Sequence, residues 1–195
     1  MTTYTEDFNR GTLGTLAPNG ATYINVGGWT IDTNQALAPN DPDWSALAYD
    51  HGFANPTIDV GIVDEGDVND YWGILYRYQD QNNFLIVTIG YGSNDMNTFR
   101  RELGFDYVID NHIMGDVNPD VIKVVMAGDS FDFYADGVLV GTSTSSFLSG
   151  NTVAGIASFF SARYDNLVIT DGIPDIPIEE EVTSSDSGWG FLPIT

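Results

Sequence analysis

Apolar residues alternate with polar ones through many short segments of this chain, each segment cut off by Gly, Asn, Asp or Pro. No stretch with a helical repeat exceeds two turns. A period of two puts one face of each segment in a core and the other in water, so the chain is committed to β structure. "DYWGILYRYQDQNNFLIVTIG", 70 to 90, reads as a hairpin turning through Asp80, Gln81, Asn82 and Asn83. "DVIKVVMAGDSFDFYADGVLVGT", 120 to 142, reads as three strands turning at Gly128-Asp129 and at Asp136-Gly137. An Asp-Gly pair supplies the positive φ angles of a tight two-residue turn, so Asp136 reads as a turn residue before it reads as a ligand. Further strands are expected near 5–9, 28–38, 45–50, 57–63, 97–109, 153–160 and 163–170. About a dozen short antiparallel strands must close or stack, and the natural solution is an all-β, two-sheet antiparallel jelly-roll sandwich.

Composition narrows the partners. The chain has 195 residues, which suits one well-buried domain with a short appendage. Its acids are 22 aspartates and 6 glutamates against one lysine and five arginines, a net charge of −22. Nucleic acid and anionic membrane surfaces are therefore excluded as expected partners, since both require a basic stripe. Aspartate favours turns over helix surfaces, in keeping with a loop-rich β protein. With no cysteine, neither disulfides nor a thiolate metal site can contribute, and stability must come from the core. No signal peptide is evident in "MTTYTEDFNR", so synthesis in the cytosol is the expectation.

Composition shifts after residue 171. The segment 172–195 carries Pro174, Pro177, Glu179, Glu180 and Glu181, a serine-rich spacer and then Trp189, Phe191, Leu192 and Ile194. It reads as an extended acidic tail appended to a domain spanning 1–171, and its apolar end either folds back on the domain or docks on another subunit.

Four segments in order, "EDFNRGTLGTL", "GGWTIDTNQAL", "GILYRYQDQNNFLIVTI" and "KVVMAGDSFDFYADGVLVGTSTSSFLSGNTVAGIASFFSARYDNLVIT", resemble the concanavalin A-like lectin/glucanase superfamily. The version resembled is the laminin-G-like type found in bacterial multidomain proteins and bacteriophage structural proteins. The resemblance covers roughly residues 5 to 170. It implies two curved antiparallel sheets with the first strand beside the last, and little about activity, because this fold hosts lectins, glycanases and structural domains alike.

The resemblance also implies a structural calcium where the chain ends meet, held by Glu6 and Asp7 with Asp165 and Asn166; hydrogen bonds across the paired ends would use the same residues. A glycosidase needs two carboxylates about 5 to 9.5 Å apart in one groove. No acidic residues alternate along a strand in the required way, so no enzyme is expected. Asp64, Glu65, Asp67 and Asp70 crowd one loop, but Gly66 breaks the EF-hand spacing and a solvated loop is expected. His51 and His112 stand alone without a serine or metal motif and are read as surface or loop residues. Sugar binding requires exposed aromatic faces beside amides and acids. Trp72, Tyr76 and Tyr78 share one face of a strand by spacing, with Tyr71 and Arg77 on the other, and one of these faces must be core. Trp44, beside Asp41 and Asp43, is the alternative platform.

The expectation from all of this is a non-enzymatic structural or attachment protein on a phage virion surface, as a decoration, cement or fibre-like component. It would be docked to other subunits by its tail and would adhere weakly to glycans. The alternative is an extracellular carbohydrate-binding module.

Overall fold

The computed structural model describes residues 1–40, 43–64, 71–90, 92–115 and 119–172. Among these the strands are β1 (Thr3–Glu6), β2 (Ile24–Val26), β3 (Thr30–Asp32), β4 (Gln35–Leu37), β5 (Trp44–Asp50), β6 (Pro56–Asp64), β7 (Tyr71–Asp80) and β8 (Asn83–Gly90). They continue as β9 (Asp95–Glu102), β10 (Phe105–Ile113), β11 (Val121–Ala127), β12 (Ser130–Ala135), β13 (Val138–Thr144), β14 (Val153–Phe159) and β15 (Arg163–Asp171). Every pairing is antiparallel. One sheet runs β13-β12-β11-β6-β15-β4-β3 with β1 also on β15, and the other runs β10-β9-β8-β7-β14-β5-β2.

The two-sheet sandwich is the one the alternation implies. Turns fall where the turn residues stand: Asp136 and Gly137 both take positive φ, 48° and 78°, and link β12 to β13. The Asp136 carboxylate also accepts a hydrogen bond from Val121 N at 2.9 Å, so its side chain stitches the turn to β11. More strands form than expected because β2 lies in a segment not read as a strand and because two segments read as single strands are hairpins. One turns at Thr33-Asn34 and the other at Leu103-Gly104, each with two positive φ angles. At three of those four positions an ordinary side chain sits in the left-handed region, which residue type alone does not announce.

The core between the sheets is built on Phe8, Trp29, Leu47, Tyr49, Ile58, Trp72, Ile74, Tyr76, Phe131, Phe133, Tyr164 and Ile169. Polar groups cross this core at defined points. The Tyr164 hydroxyl, on β15 of one sheet, accepts from Gly73 N at 2.8 Å and donates to Ala157 O at 2.7 Å, two atoms of the facing sheet. Gly73 and Ala157 are register partners on β7 and β14, so the phenol is inserted into that ladder. Arg77 crosses in the opposite direction. Its φ of 50° marks a bulge in β7, and its guanidinium lies 4.8 Å from the Phe131 ring and donates to the carbonyls of Ser145, Phe147 and Gly128.

At the free edges, His112 of β10 contacts Ser143 of β13 at 3.0 Å, and the Ser143 hydroxyl donates to Asp110. Gly141 makes room for that imidazole, because a Cβ there would fall 2.2 Å from His112 Nδ1. His112 is therefore a tie between sheet edges, with its side chain 14% exposed. His51 lies in the loop after β5 but is buried, and its Nδ1 accepts from Phe53 N at 3.0 Å. His51 stands in a loop, as read, but is buried, whereas His112 stands on a strand and is half-buried; aromatic neighbours, Phe53 for one and Phe133 for the other, cover their rings.

Replacing Tyr164 by Phe keeps the ring and leaves Gly73 N–H and Ala157 C=O without their bridge. A loss of about 1–3 kcal/mol in urea unfolding is expected, and an unchanged midpoint would remove the hydroxyl from its stabilising role. Burial pushes His51 down to about 4, with nearby Asp50 opposing the shift. The fold holds the neutral imidazole while the unfolded chain takes up a proton near pH 6.5, so this contribution is complete above pH 6.5 and is lost as pH falls toward 4. Roughly 3 kcal/mol is at stake. Wild-type protein should lose more stability between pH 7 and 4.5 than the His51→Gln variant, and equal losses would contradict the assignment.

Candidate functional site

The bulge at Arg77 decides which aromatics are available. Before it, Trp72 and Tyr76 face the inter-sheet core and are 1% and 0% exposed. Beyond it the strand's parity changes and Tyr78 joins Leu75, Phe84 and Ile86 on the opposite face of the sheet, where it too is buried. The expectation that Trp72, Tyr76 and Tyr78 share a face is thus corrected. None of the three presents a ring to a sugar.

Strand register lays out the outer face of the β10-to-β2 sheet in rows. Trp44, Phe159 and Tyr71 stand side by side on β5, β14 and β7. The next row holds Ala46, Ala157, Gly73, Thr88, Asn97 and Asn111. The row after that holds Ala48, Gly155, Leu75, Ile86, Phe99 and Val108. An aromatic row and an apolar row therefore flank a trough of small and polar residues. A cleft of about 270 Å³ lies there, lined by Trp44, Tyr71, Asn97, Phe99, Asp106 and Phe159. Trp44 packs against Phe159 with centroids 5.5 Å apart, and Tyr71 meets the same ring edge-on at 6.3 Å. The Thr88 hydroxyl on the floor row is buried without a hydrogen-bond partner.

The sheet is strongly curled. β5 and β10 are five strand spacings apart in the order, about 24 Å if the sheet were flat. Yet Trp44 Nε1 lies 3.4 Å from Asp106 Oδ2, and Arg101 Nη1 of β9 lies 2.9 Å from Asp43 Oδ1 beside Trp44. Arg101 Nε is also 3.8 Å from Asp106 Oδ1. The Arg101 guanidinium holds the Asp43 carboxyl below its ordinary range, against the raising effect of partial burial. Concavity of this degree brings a tryptophan, an arginine and two aspartates to one rim, which no spacing in the sequence shows. The available signal was weaker: Tyr71 and Phe159 are large aromatics at strand ends.

A larger cavity, about 610 Å³, lies between the 11–15 loop and the β2–β3 segment. Its aromatics, Tyr23 and Trp29, are 9% and 2% exposed and offer no ring face, so it lacks the stacking surface the cleft has. Tyr23 instead belongs to a group with the buried Glu6 and the partly exposed Arg10. The Glu6 carboxylate accepts from Phe8 N, Arg10 and the Tyr23 hydroxyl, and burial followed by the hydrogen bond to Glu6 raises the Tyr23 phenol. Of the residues that the resemblance implies for a cation, Glu6 turns to the Arg10 guanidinium and the Tyr23 hydroxyl. Asp7 and Asp165 instead accept from the backbone at Asn9 and Asn166, and the described residues hold no cluster of three or more metal-ligating side chains. The first strand does lie beside the last, Glu6 opposite Leu167. Glu65, Asp67 and Asp70 and the apolar peptide Trp189, Phe191, Leu192 and Ile194 lie outside the described residues.

No family model matches the chain, and no curated protein matches it. Solved structures do. The carbohydrate-binding module CBM66 from Bacillus subtilis is similar over 74% of this chain and 91% of its own, at 20% identity and a TM-score of 0.59. The laminarinase from Rhodothermus marinus is similar over 86% and 96%, at 7% identity and a TM-score of 0.57. The fold is a two-sheet antiparallel jelly roll. The xylan β-1,4-xylosidase from Bacillus halodurans C-125 gives a TM-score of 0.64 at 10% identity, but this chain spans 39% of that enzyme's length. At such identities the likeness is one of fold.

Proposed function

We propose that this protein is a non-catalytic module that binds neutral glycans in the cleft of Trp44, Tyr71 and Phe159. The observation that carries the proposal is the aromatic row, with Tyr71 exposed and Trp44 and Phe159 half-buried, standing over a trough with Asn97 and Asp106 at its side. Apolar ring faces take the C–H surface of a pyranose, while the amide and the carboxylate take its hydroxyls. A net charge of −22 favours uncharged sugars over uronic or sulfated ones. The similarity to a carbohydrate-binding module agrees with this reading.

The carboxylates at the rim are engaged in a way that suits binding rather than hydrolysis. Asp43 and Asp106 both pair with Arg101, and Glu102 pairs with Arg100 at 3.2 Å. A general acid has to be protonated and aimed at a glycosidic oxygen, whereas the Asp43 carboxyl, despite partial burial, is held below its ordinary range by Arg101. An attachment role on a larger assembly rests on residues 189–194, which lie outside the described ones, and the glycan reading stands without it.

Calorimetry with xylohexaose and laminarihexaose tests the proposal. Dissociation constants on the order of 0.1–1 mM are expected for so shallow a cleft. Tyr71→Ala should weaken hexaose binding, and Trp44→Ala binding of the matching disaccharide, each about tenfold, while circular dichroism stays unchanged. Absence of binding to any neutral oligosaccharide at 10 mM, or full affinity in both variants, would refute the assignment.

A further inference from the structure

Trp44 faces two spaces. On one side is the open cleft with Tyr71, Asn97, Phe99, Asp106 and Phe159. On the other is a void of about 10 Å³, no bigger than one water, bounded by Trp44 together with Ala46, Leu75, Tyr78, Phe84 and Ala157. Ala46 and Ala157 belong to the same row as Asn97, so the floor runs on beneath the indole from one space to the other. From this continuity we propose that Trp44 is a gate within a single longer groove. Latched by Arg101 through Asp43 and Asp106, it closes the cleft to about one or two sugar rings. A linear neutral oligosaccharide of three or more rings displaces it and lies along the alanine floor. The proposal rests on the glycan-binding reading above and specifies its ligand as a chain rather than a single residue.

The latch is weak. The Trp44–Asp106 contact is long, at 3.4 Å, and the Asp43 side chain is 68% exposed, so its pairing with Arg101 is open to water and salt. The Trp44–Asp106 and Arg101–Asp43 contacts are made by side chains across the curled sheet, whereas Arg101 and Asp106 are register partners on the adjacent β9 and β10. A closed gate taxes only ligands that need it open. If the open form is about a tenth of molecules, the apparent affinity for long chains falls about tenfold, while that for a disaccharide is untouched.

The test uses the full chain carrying Trp189→Phe, in which Trp44 is the one tryptophan not buried, since Trp29 and Trp72 are 2% and 1% exposed. Acrylamide quenching should rise about twofold on Asp43→Ala, and in the parent protein on raising NaCl from 0.05 to 1 M. Asp43→Ala should tighten xylohexaose or laminarihexaose binding about three- to tenfold and leave the matching disaccharide within about twofold. Asp43→Asn serves as a second variant if the alanine form is unstable. Unchanged quenching, or equal effects on hexaose and disaccharide, would overturn the gate. If neither sugar binds, the glycan reading falls, and quenching alone then decides whether Trp44 is latched.

Discussion

The Tyr164 hydroxyl inserted between Gly73 and Ala157 is the contact on which the arrangement of the two sheets depends. A phenol from one layer replaces a direct link in the ladder of the other, so the sheets cannot slide without leaving a buried donor and acceptor unpaired. Slippage by one residue would also exchange the core and outer faces of β7 and β14. Fixing that register aligns Trp44, Phe159 and Tyr71 in one row. The inter-sheet tie thus positions a surface site on the far side of the sheet it anchors.

Cations in this chain work as connectors. Arg10 pairs with Glu6, Arg77 with Asp129, Arg100 with Glu102, Arg101 with Asp43, Arg163 with Asp32 and Lys123 with Asp59. Arg77 is the most buried of them, and its charge is solvated mainly by carbonyl oxygens from the loops after β11 and β13. Acids outnumber bases by 28 to 6, and like charge opposes association of the open sheet edges. Asp106 and Asp110 stand on β10, the free edge of the curled sheet, where that protection is most needed.

Curvature links this electrostatic design to the cleft. A flat seven-stranded sheet would leave Leu75, Ile86 and Phe84 on an open surface. Curling brings β5 toward β9 and β10, so these side chains form a second small core with Ala46, Ala48 and Ala157. Small residues in the middle of the face permit the concavity, and the larger Trp44, Tyr78 and Phe99 occupy its flanks. Concave, partly apolar and rimmed by polar groups, the surface has the features of a ligand site rather than of a protein edge.

Alternation by itself determined the β class, the hairpin at Asp80–Asn83 and the turn at Asp136-Gly137, because period and turn chemistry are local properties of the backbone. The resemblance of four segments to a known superfamily, not the alternation, implied a first strand beside the last, which the pairing of β1 with β15 matches. Which face of β7 is core depended on tertiary structure, since a single residue at positive φ, Arg77, reverses the parity that spacing assumes. The same holds for Glu6, whose partner Tyr23 is 17 residues away, and for the meeting of Trp44 with Asp106, 62 residues apart. Contacts of that kind arise from sheet curvature and packing, which are summed over many strands and leave no mark in any one of them.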